Sequence, residues 1–320
     1  IFFRMHLSVA TRALCRAAPA TAWRAIPPAL VARRGTATAA PQNGCLQGKV
    51  ALVTGGGSGI GTGIAVQLAK AGAQIVICGR TASKLEDADR MIKGLGASCT
   101  AVPADVKDES SCNKLVQDII SQHGHLDILV NNAGIEGPGA CPMEQLSASD
   151  FDDLFQTNVR SQFLLCKAVI PHMKERAAVL KAEYPSFEES AKGRPHAGSI
   201  INLSSIAGKR GFNGLAVYSA TNFARIGLTR SLALELAPYH INVNALLPGI
   251  VWTEIWDRLA DGMAKESGGD KMTTFQQSVE ALIPMHRPQL VEEMGDLAVY
   301  FASQPNVTGQ EVAVDGGYTA

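Results

Sequence analysis

The sequence predicts a single doubly wound α/β domain on a parallel sheet, and three observations predict it. Short apolar runs alternate with longer helical stretches from Leu46 to the end of the chain. Several runs are apolar on both faces, as in Leu126-Asp127-Ile128-Leu129-Val130, which suits parallel strands covered by helices on either side. No internal repeat and no second core interrupts the series, and 46% apolar residues in 320 suffice to bury one large core.

The first strand is Val50-Ala51-Leu52-Val53, and the run TGGGSGIG from Thr54 to Gly61 follows it directly. There the chain must turn sharply into a helix, and the missing Cβ atoms let backbone N–H groups and the helix N-terminus approach a pyrophosphate. By itself such a run also suits a plain flexible loop. The helix spans Gly59 to Lys70; a strand at Gln74 to Cys78, a helix around Ser83 to Lys93, and strands at Cys99 to Val102 and Leu126 to Val130 follow. Further strands are expected at Ser199 to Leu203, Ile241 to Leu246 and Glu311 to Val314, with long helices at Asp150 to Lys174 and Leu215 to Ala237. The stretch from Arg176 to Gly198 is polar and holds Pro185 and Pro195, so 176–198 reads as a surface insertion in a domain spanning 46–320.

Residues 1–45 are of another kind. No Asp or Glu precedes Glu86, while Arg4, Arg12, Arg16, Arg24, Arg33 and Arg34 punctuate an Ala-, Thr- and Pro-rich stretch. On a helix, Leu7, Ala10, Leu14 and Ala18 share one face with Arg12 and Arg16 opposite, the form of a cleavable mitochondrial targeting segment. The expected destination is the mitochondrial matrix, with the plastid stroma as the alternative. Its apolar run is too short and interrupted to span a bilayer. Basic and acidic residues balance at 29 each, which gives no electrostatic case for nucleic acid or an anionic membrane surface. The seven cysteines are scattered with no C-x-x-C pair and no histidine pair beside them, so neither a metal site nor a disulfide framework is expected.

Three further signals lie downstream: Asn131-Asn132-Ala133-Gly134 closes the fourth strand, Ser204-Ser205 closes the fifth, and Tyr218 opens the long helix that follows. With TGGGSGIG, Asp105-Val106, Asn158, Pro248-Gly249 and Val314-Asp315-Gly316-Gly317, this order resembles the short-chain dehydrogenase/reductase family from about Leu46 to the C-terminus. The resemblance implies a Rossmann-type fold and hydride transfer between a nicotinamide cofactor and a carbonyl or secondary alcohol. Negative charge then develops on the substrate oxygen and a proton must be supplied or removed. Tyr218 is the implied acid or base. Ser205, which stands at the family's spacing from the tyrosine where Ser204 does not, is the implied donor to that oxygen, and Asn158 is expected to hold a helix opening that carries a relay water. The implied cofactor contacts are Thr54, Gly55, Ser58, Gly59, Ile60 and Gly61 in the first turn, Asp105 and Val106 beside the adenine, and Asn132, Ala133 and Gly134 after the fourth strand. Pro248, Gly249 and Thr253 complete them near the carboxamide or phosphate.

One position departs from the family pattern. Tyr-x-x-x-Lys is here Tyr218-Ser219-Ala220-Thr221-Asn222, and the two positions share a helix face. Asn222 is expected to bond the nicotinamide ribose in the lysine's place but supplies no charge. A cation about 4 Å from a phenolate at an effective dielectric of about 20 is worth about 4 kcal/mol, or about three pKa units. A tyrosine without it ionises near its reference value, so only about one molecule in a thousand carries the base form at neutral pH. That hurts alcohol oxidation more than carbonyl reduction, where the tyrosine starts protonated. Arg225, one turn further on, reads as a solvated or subunit-facing arginine; Lys209 and Arg210 are weaker candidates for the missing charge.

At the end of the second strand, Ile77-Cys78-Gly79-Arg80 offers no acid to bond an adenosine 2′-hydroxyl and a cation that pairs with a 2′-phosphate. NADP(H) is therefore favoured, with NAD(H) as the alternative. Between Trp252 and Arg287 a lid is expected, with Trp252, Ile255, Trp256, Leu259 and Met263 on a short helix, whose lining suggests a small, partly apolar carbonyl or hydroxyl compound. The resemblance points to polyol, acetoin and diacetyl reductases or to 3-oxoacyl-carrier-protein reductases, which act on a 3-oxoacyl thioester. It also implies a homo-oligomer, dimer or tetramer, through the two long helices. The rival reading of Asn222 is a catalytically impaired cofactor-binding subunit of a homo- or hetero-oligomer.

Overall fold

A computed structural model describes residues 44–186 and 195–320. The targeting reading of 1–45 falls outside them except at Gly44 and Cys45, and so does 187–194 of the expected insertion.

Seven strands, β1 (Val50–Thr54), β2 (Gln74–Gly79), β3 (Cys99–Pro103), β4 (Ile128–Asn131), β5 (Gly198–Leu203), β6 (Ile241–Pro248) and β7 (Glu311–Val314), form one parallel sheet in the order β3-β2-β1-β4-β5-β6-β7. Helices α1 (Gly59–Lys70), α2 (Ala82–Gly94) and α9 (Val291–Ser303) cover one face; α3 (Glu109–His123), α5 (Ser161–Glu183) and α6 (Ala216–Leu236) cover the other. The alternation of side chains along a strand builds both layers. Ala51 and Val53 of β1 meet Ile64, Leu68 and Phe301, while Val50 and Leu52 meet Leu115, Leu165 and Val169 on the opposite face. Double burial explains why these strands read as uninterrupted apolar runs. Because β1 pairs β2 on one side and β4 on the other, the connections diverge there and open a crevice at the C-terminal ends of β1 and β4. Among the described residues, no helix is long and apolar enough to cross a membrane.

Three elements differ from expectation. The helix expected over Asp150 to Lys174 is two, α4 (Ala148–Phe155) and α5, joined by a π-turn at Gln156–Arg160. Next, α5 runs on to Glu183, so the first part of the expected insertion is helical. It looked like loop because only Ala177 of residues 176–183 is buried. The segment expected as a lid is likewise two helices, α7 (Glu254–Ser267) and α8 (Lys271–Leu282). Gly268, with φ 72°, ends the first, and the Asp270 carboxylate caps the second by accepting from Met272 N and Thr273 N at 3.0 Å.

At the opposite, N-terminal edge of the sheet, buried Asp127 accepts from Val50 N (2.9 Å) and lies 2.7 Å from Arg176, 3.2 Å from Lys49 and 3.2 Å from His125. His196 is buried beside this cluster. Desolvation pushes its pKa down from 6.5 to about 4; Lys49 and Arg176 push the same way and Asp127 opposes. The folded state therefore refuses a proton that the unfolded chain accepts below pH 6.5. Stability should fall as pH drops through that window, by up to about 3 kcal/mol. Urea midpoints measured across it should show the slope, and His196→Gln should flatten it.

Candidate active site

The turn after β1 is shaped by close approach. Gly55 and Gly59 lie in the left-handed region, with φ of 64° and 53°. A Cβ on Gly61 would lie 2.2 Å from the Gly55 carbonyl oxygen, so only glycine allows α1 to start this close to the strand. The N-terminus of α1 has no side-chain cap from Ser58 and no acid in its first turn. Gly55 and Ser58 line the crevice with Arg80, Asp105, Val106, Ala133 and Gly134. An uncapped helix start in a cradle that Cβ atoms would fill fits a dinucleotide pyrophosphate.

Other expected contacts work one step back. The buried Thr54 hydroxyl donates to Val130 O (3.3 Å) and accepts from Asn132 N and Ala133 N (both 3.0 Å). The Asn132 amide in turn donates to Thr54 O (2.8 Å) and Gly55 O (3.2 Å). Thr54 and Asn132 thus stitch the ends of β1 and β4 together, and Ile60 packs partly onto the core. Asp105 accepts from Lys107 N at 3.0 Å, which folds its own turn. Pro248 is buried at the end of β6, and a Cβ on Gly249 would lie 2.7 Å from Asp315 Cα. This packing leads the chain to Thr253, whose methyl group stands 3.4 Å from where a Gly59 Cβ would be, over the start of α1. Sequence reasoning missed the Lys84–Glu254 ion pair (2.7 Å), which ties α2 to the start of the lid.

The residues expected to handle the proton lie just after β5, in the first turn of α6 and in the π-turn. Ser204 is buried and spends its hydroxyl on Asn222 O (3.0 Å). Ser205 is half-buried; its Oγ accepts from Ala207 N at 3.1 Å and keeps its proton to donate elsewhere. Tyr218 is half-buried in the first turn of α6. Asn158 lies in the π-turn, fully buried, with Oδ1 accepting from Ile135 N and Nδ2 donating to Ile135 O, both at 2.8 Å.

Asn222 presents no exposed amide to a ribose. It is fully buried; its Nδ2 donates to Tyr218 O at 2.9 Å, and its Oδ1 lies 3.5 Å from Ser204 Oγ and from Arg225 Nη1. Arg225 also departs from expectation, being only 4% exposed and turned into the site. Its Nε donates to Asn158 O (2.6 Å) and its Nη2 to Ala133 O (3.0 Å). The sequence signal was its place two turns after Tyr218 on the same helix face. Arg210 is engaged elsewhere, over the rings of Phe212 and Tyr318 (5.5 and 5.2 Å to the centroids).

In the lid, Trp252 and Trp256 both meet Phe275 of α8 edge-on, at 4.5 and 5.7 Å between centroids. Trp256 joins a small core with Ile250, Ala260, Val279 and Ile283. The two indoles hold the segment's helices together, Trp252 from just before α7 and still 37% exposed.

A family model described as short chain dehydrogenase matches residues 49–264. L-fucose dehydrogenase of Rattus norvegicus is 33% identical, covering 86% of this chain and 90% of its own. Among solved structures, NAD+-bound xylitol dehydrogenase superposes with a TM-score of 0.74 at 29% identity, over 85% of this chain and 99% of that one. The Pseudomonas aeruginosa RhlG/NADP active-site complex gives 0.72 at 32% identity, over 88% and 99%.

Proposed function

This chain belongs to the short-chain dehydrogenase family, and on that premise we propose that it reduces a small carbonyl compound to a secondary alcohol with NADPH. It is an NAD(P)-dependent oxidoreductase acting on CH–OH groups. The observation that carries the reading is the combination of an uncapped helix start and glycine turn at the crevice with Ser205, half-buried just after β5, and Tyr218, half-buried in the first turn of α6.

The nicotinamide, when bound, supplies the hydride. This chain's residues do the rest. Ser205 donates a hydrogen bond to the substrate oxygen, which matters most as that oxygen gains charge. Tyr218 then gives its phenolic proton to the same oxygen, and the reverse direction needs it to take the proton back. The lid, tied to α2 through Lys84 and Glu254, excludes water.

Arg80 supports NADP(H). It lines the crevice, and among the described residues no carboxylate pairs with it, whereas the neighbouring Lys84 and Lys107 are paired with Glu254 and Asp153. A charge-assisted bond to a 2′-phosphate is worth about 10–100-fold in preference. Arg80→Asp should move the ratio of kcat/KM for NADPH over NADH by at least that much towards NADH. An unchanged ratio would remove the NADP(H) assignment.

The buried amide of Asn222 favours a second reading, an impaired cofactor-binding subunit. Turnover by the wild-type chain alone excludes it. Exposed Phe151, Phe163, Phe223 and Leu234 on α4, α5 and α6 support a homo-oligomer through those helices. The acid-free, arginine-rich leader supports delivery to the mitochondrial matrix.

A further inference from the structure

We propose that Arg225 is the positioning cation of this site, supplying from two turns along α6 the positive charge that position 222 lacks. The inference rests on the oxidoreductase reading above and concerns how Tyr218 exchanges its proton.

The guanidinium is buried and makes three contacts, all to uncharged oxygens: Asn158 O at 2.6 Å, Ala133 O at 3.0 Å and Asn222 Oδ1 at 3.5 Å. Among the described residues no carboxylate pairs with it. A buried cation without a counter-charge is costly, and a hydrophobic side chain would serve packing better. Burial pulls its pKa down to about 10, which leaves it charged at neutral pH, with Tyr218 acting against that pull. Tyr218 lies two turns back on the same helix face, and Asn222 bridges the two residues by donating to Tyr218 O at 2.9 Å and turning Oδ1 to Nη1 at 3.5 Å. The anion this charge lacks is the one the reaction makes, a phenolate on Tyr218.

The surroundings make room for it. A Cβ on Gly134, which lines the crevice, would lie 2.8 Å from Nη2, so a side chain there would displace the guanidinium from its present position. The π-turn at Gln156–Arg160 presents the Asn158 carbonyl that receives Nε. Asn222, short and neutral, turns its carbonyl oxygen towards Nη1. A lysine at 222 would place a second cation against the first, so Asn222 and Arg225 read as one coupled exchange that keeps a single positive charge in the site.

The test uses the full chain and reads tyrosine ionisation by ultraviolet difference absorbance, with Tyr218→Phe subtracted to isolate one phenol. It needs neither substrate nor cofactor. In Arg225→Gln the Tyr218-dependent signal should appear at least about one pH unit higher than in wild type. Asn222→Lys/Arg225→Gln should return it, and Arg225→Lys should hold it near the wild-type position. The alkaline limb of kcat/KM for acetoin oxidation with NADP+ should move in step. Thermal unfolding of each variant separates loss of charge from loss of fold, and Arg225→Met, which removes the charge but keeps an apolar side chain of similar length, serves if Arg225→Gln does not fold. Identical signals in wild type and Arg225→Gln, or a shift in Arg225→Lys as large as in Arg225→Gln, would overturn the inference and leave the oxidoreductase reading standing. An inert wild type beside an active Asn222→Lys would instead defeat both.

Discussion

Replacing Tyr218 with phenylalanine should lower kcat/KM for carbonyl reduction by about 10²–10⁴-fold, the range a positioned proton donor contributes. The substitution removes one hydroxyl from a half-buried side chain in the first turn of α6 and leaves its backbone contacts to Thr221 and Asn222 in place. NADPH affinity and the unfolding midpoint should therefore move little. Fluorescence titration of NADPH beside initial rates makes that separation; a variant that binds the cofactor normally and retains turnover within a few-fold would remove Tyr218 from the chemistry.

Ser205→Ala should cost about 10²–10³-fold in kcat, the effect of losing one preorganised donor to a developing oxyanion. Its neighbour provides the control. Ser204 spends its hydroxyl on the Asn222 carbonyl, so Ser204→Ala should cost about 1 kcal/mol of stability and little in rate. The two serines are adjacent in sequence, yet only Ser205 lies beyond the strand with its proton uncommitted. A comparable fall in kcat for both would mean that the effect is local packing rather than hydrogen bonding to substrate.

The sheet was legible because its strands are buried on both faces, which leaves uninterrupted apolar runs such as Val50 to Val53. The glycine turn was legible because close approach of α1 to Gly55 demands glycine at 61 whatever the ligand. The π-turn was not, since Gln156-Thr157-Asn158-Val159-Arg160 contains neither glycine nor proline to mark it. Arg225 illustrates the deeper difficulty. A charged residue on a helix normally faces water, and the carbonyls that draw this one inward, Asn158 O and Ala133 O, lie far away in the chain. Asn222 poses a related difficulty: that its amide could bond a ribose is a matter of chemistry, but the Tyr218 carbonyl that takes its donor shows only in the fold.

The central claim is that this chain turns over a carbonyl with NADPH although Asn222 stands in the lysine's place. Its most direct test is NADPH consumption by the purified wild-type chain alone, with diacetyl, acetoin and a 3-oxoacyl thioester offered in turn beside Asn222→Lys. Turnover by the wild type, faster with NADPH than with NADH, is the predicted result. Tight cofactor binding without turnover, while Asn222→Lys consumes NADPH, would contradict it and identify a cofactor-binding subunit.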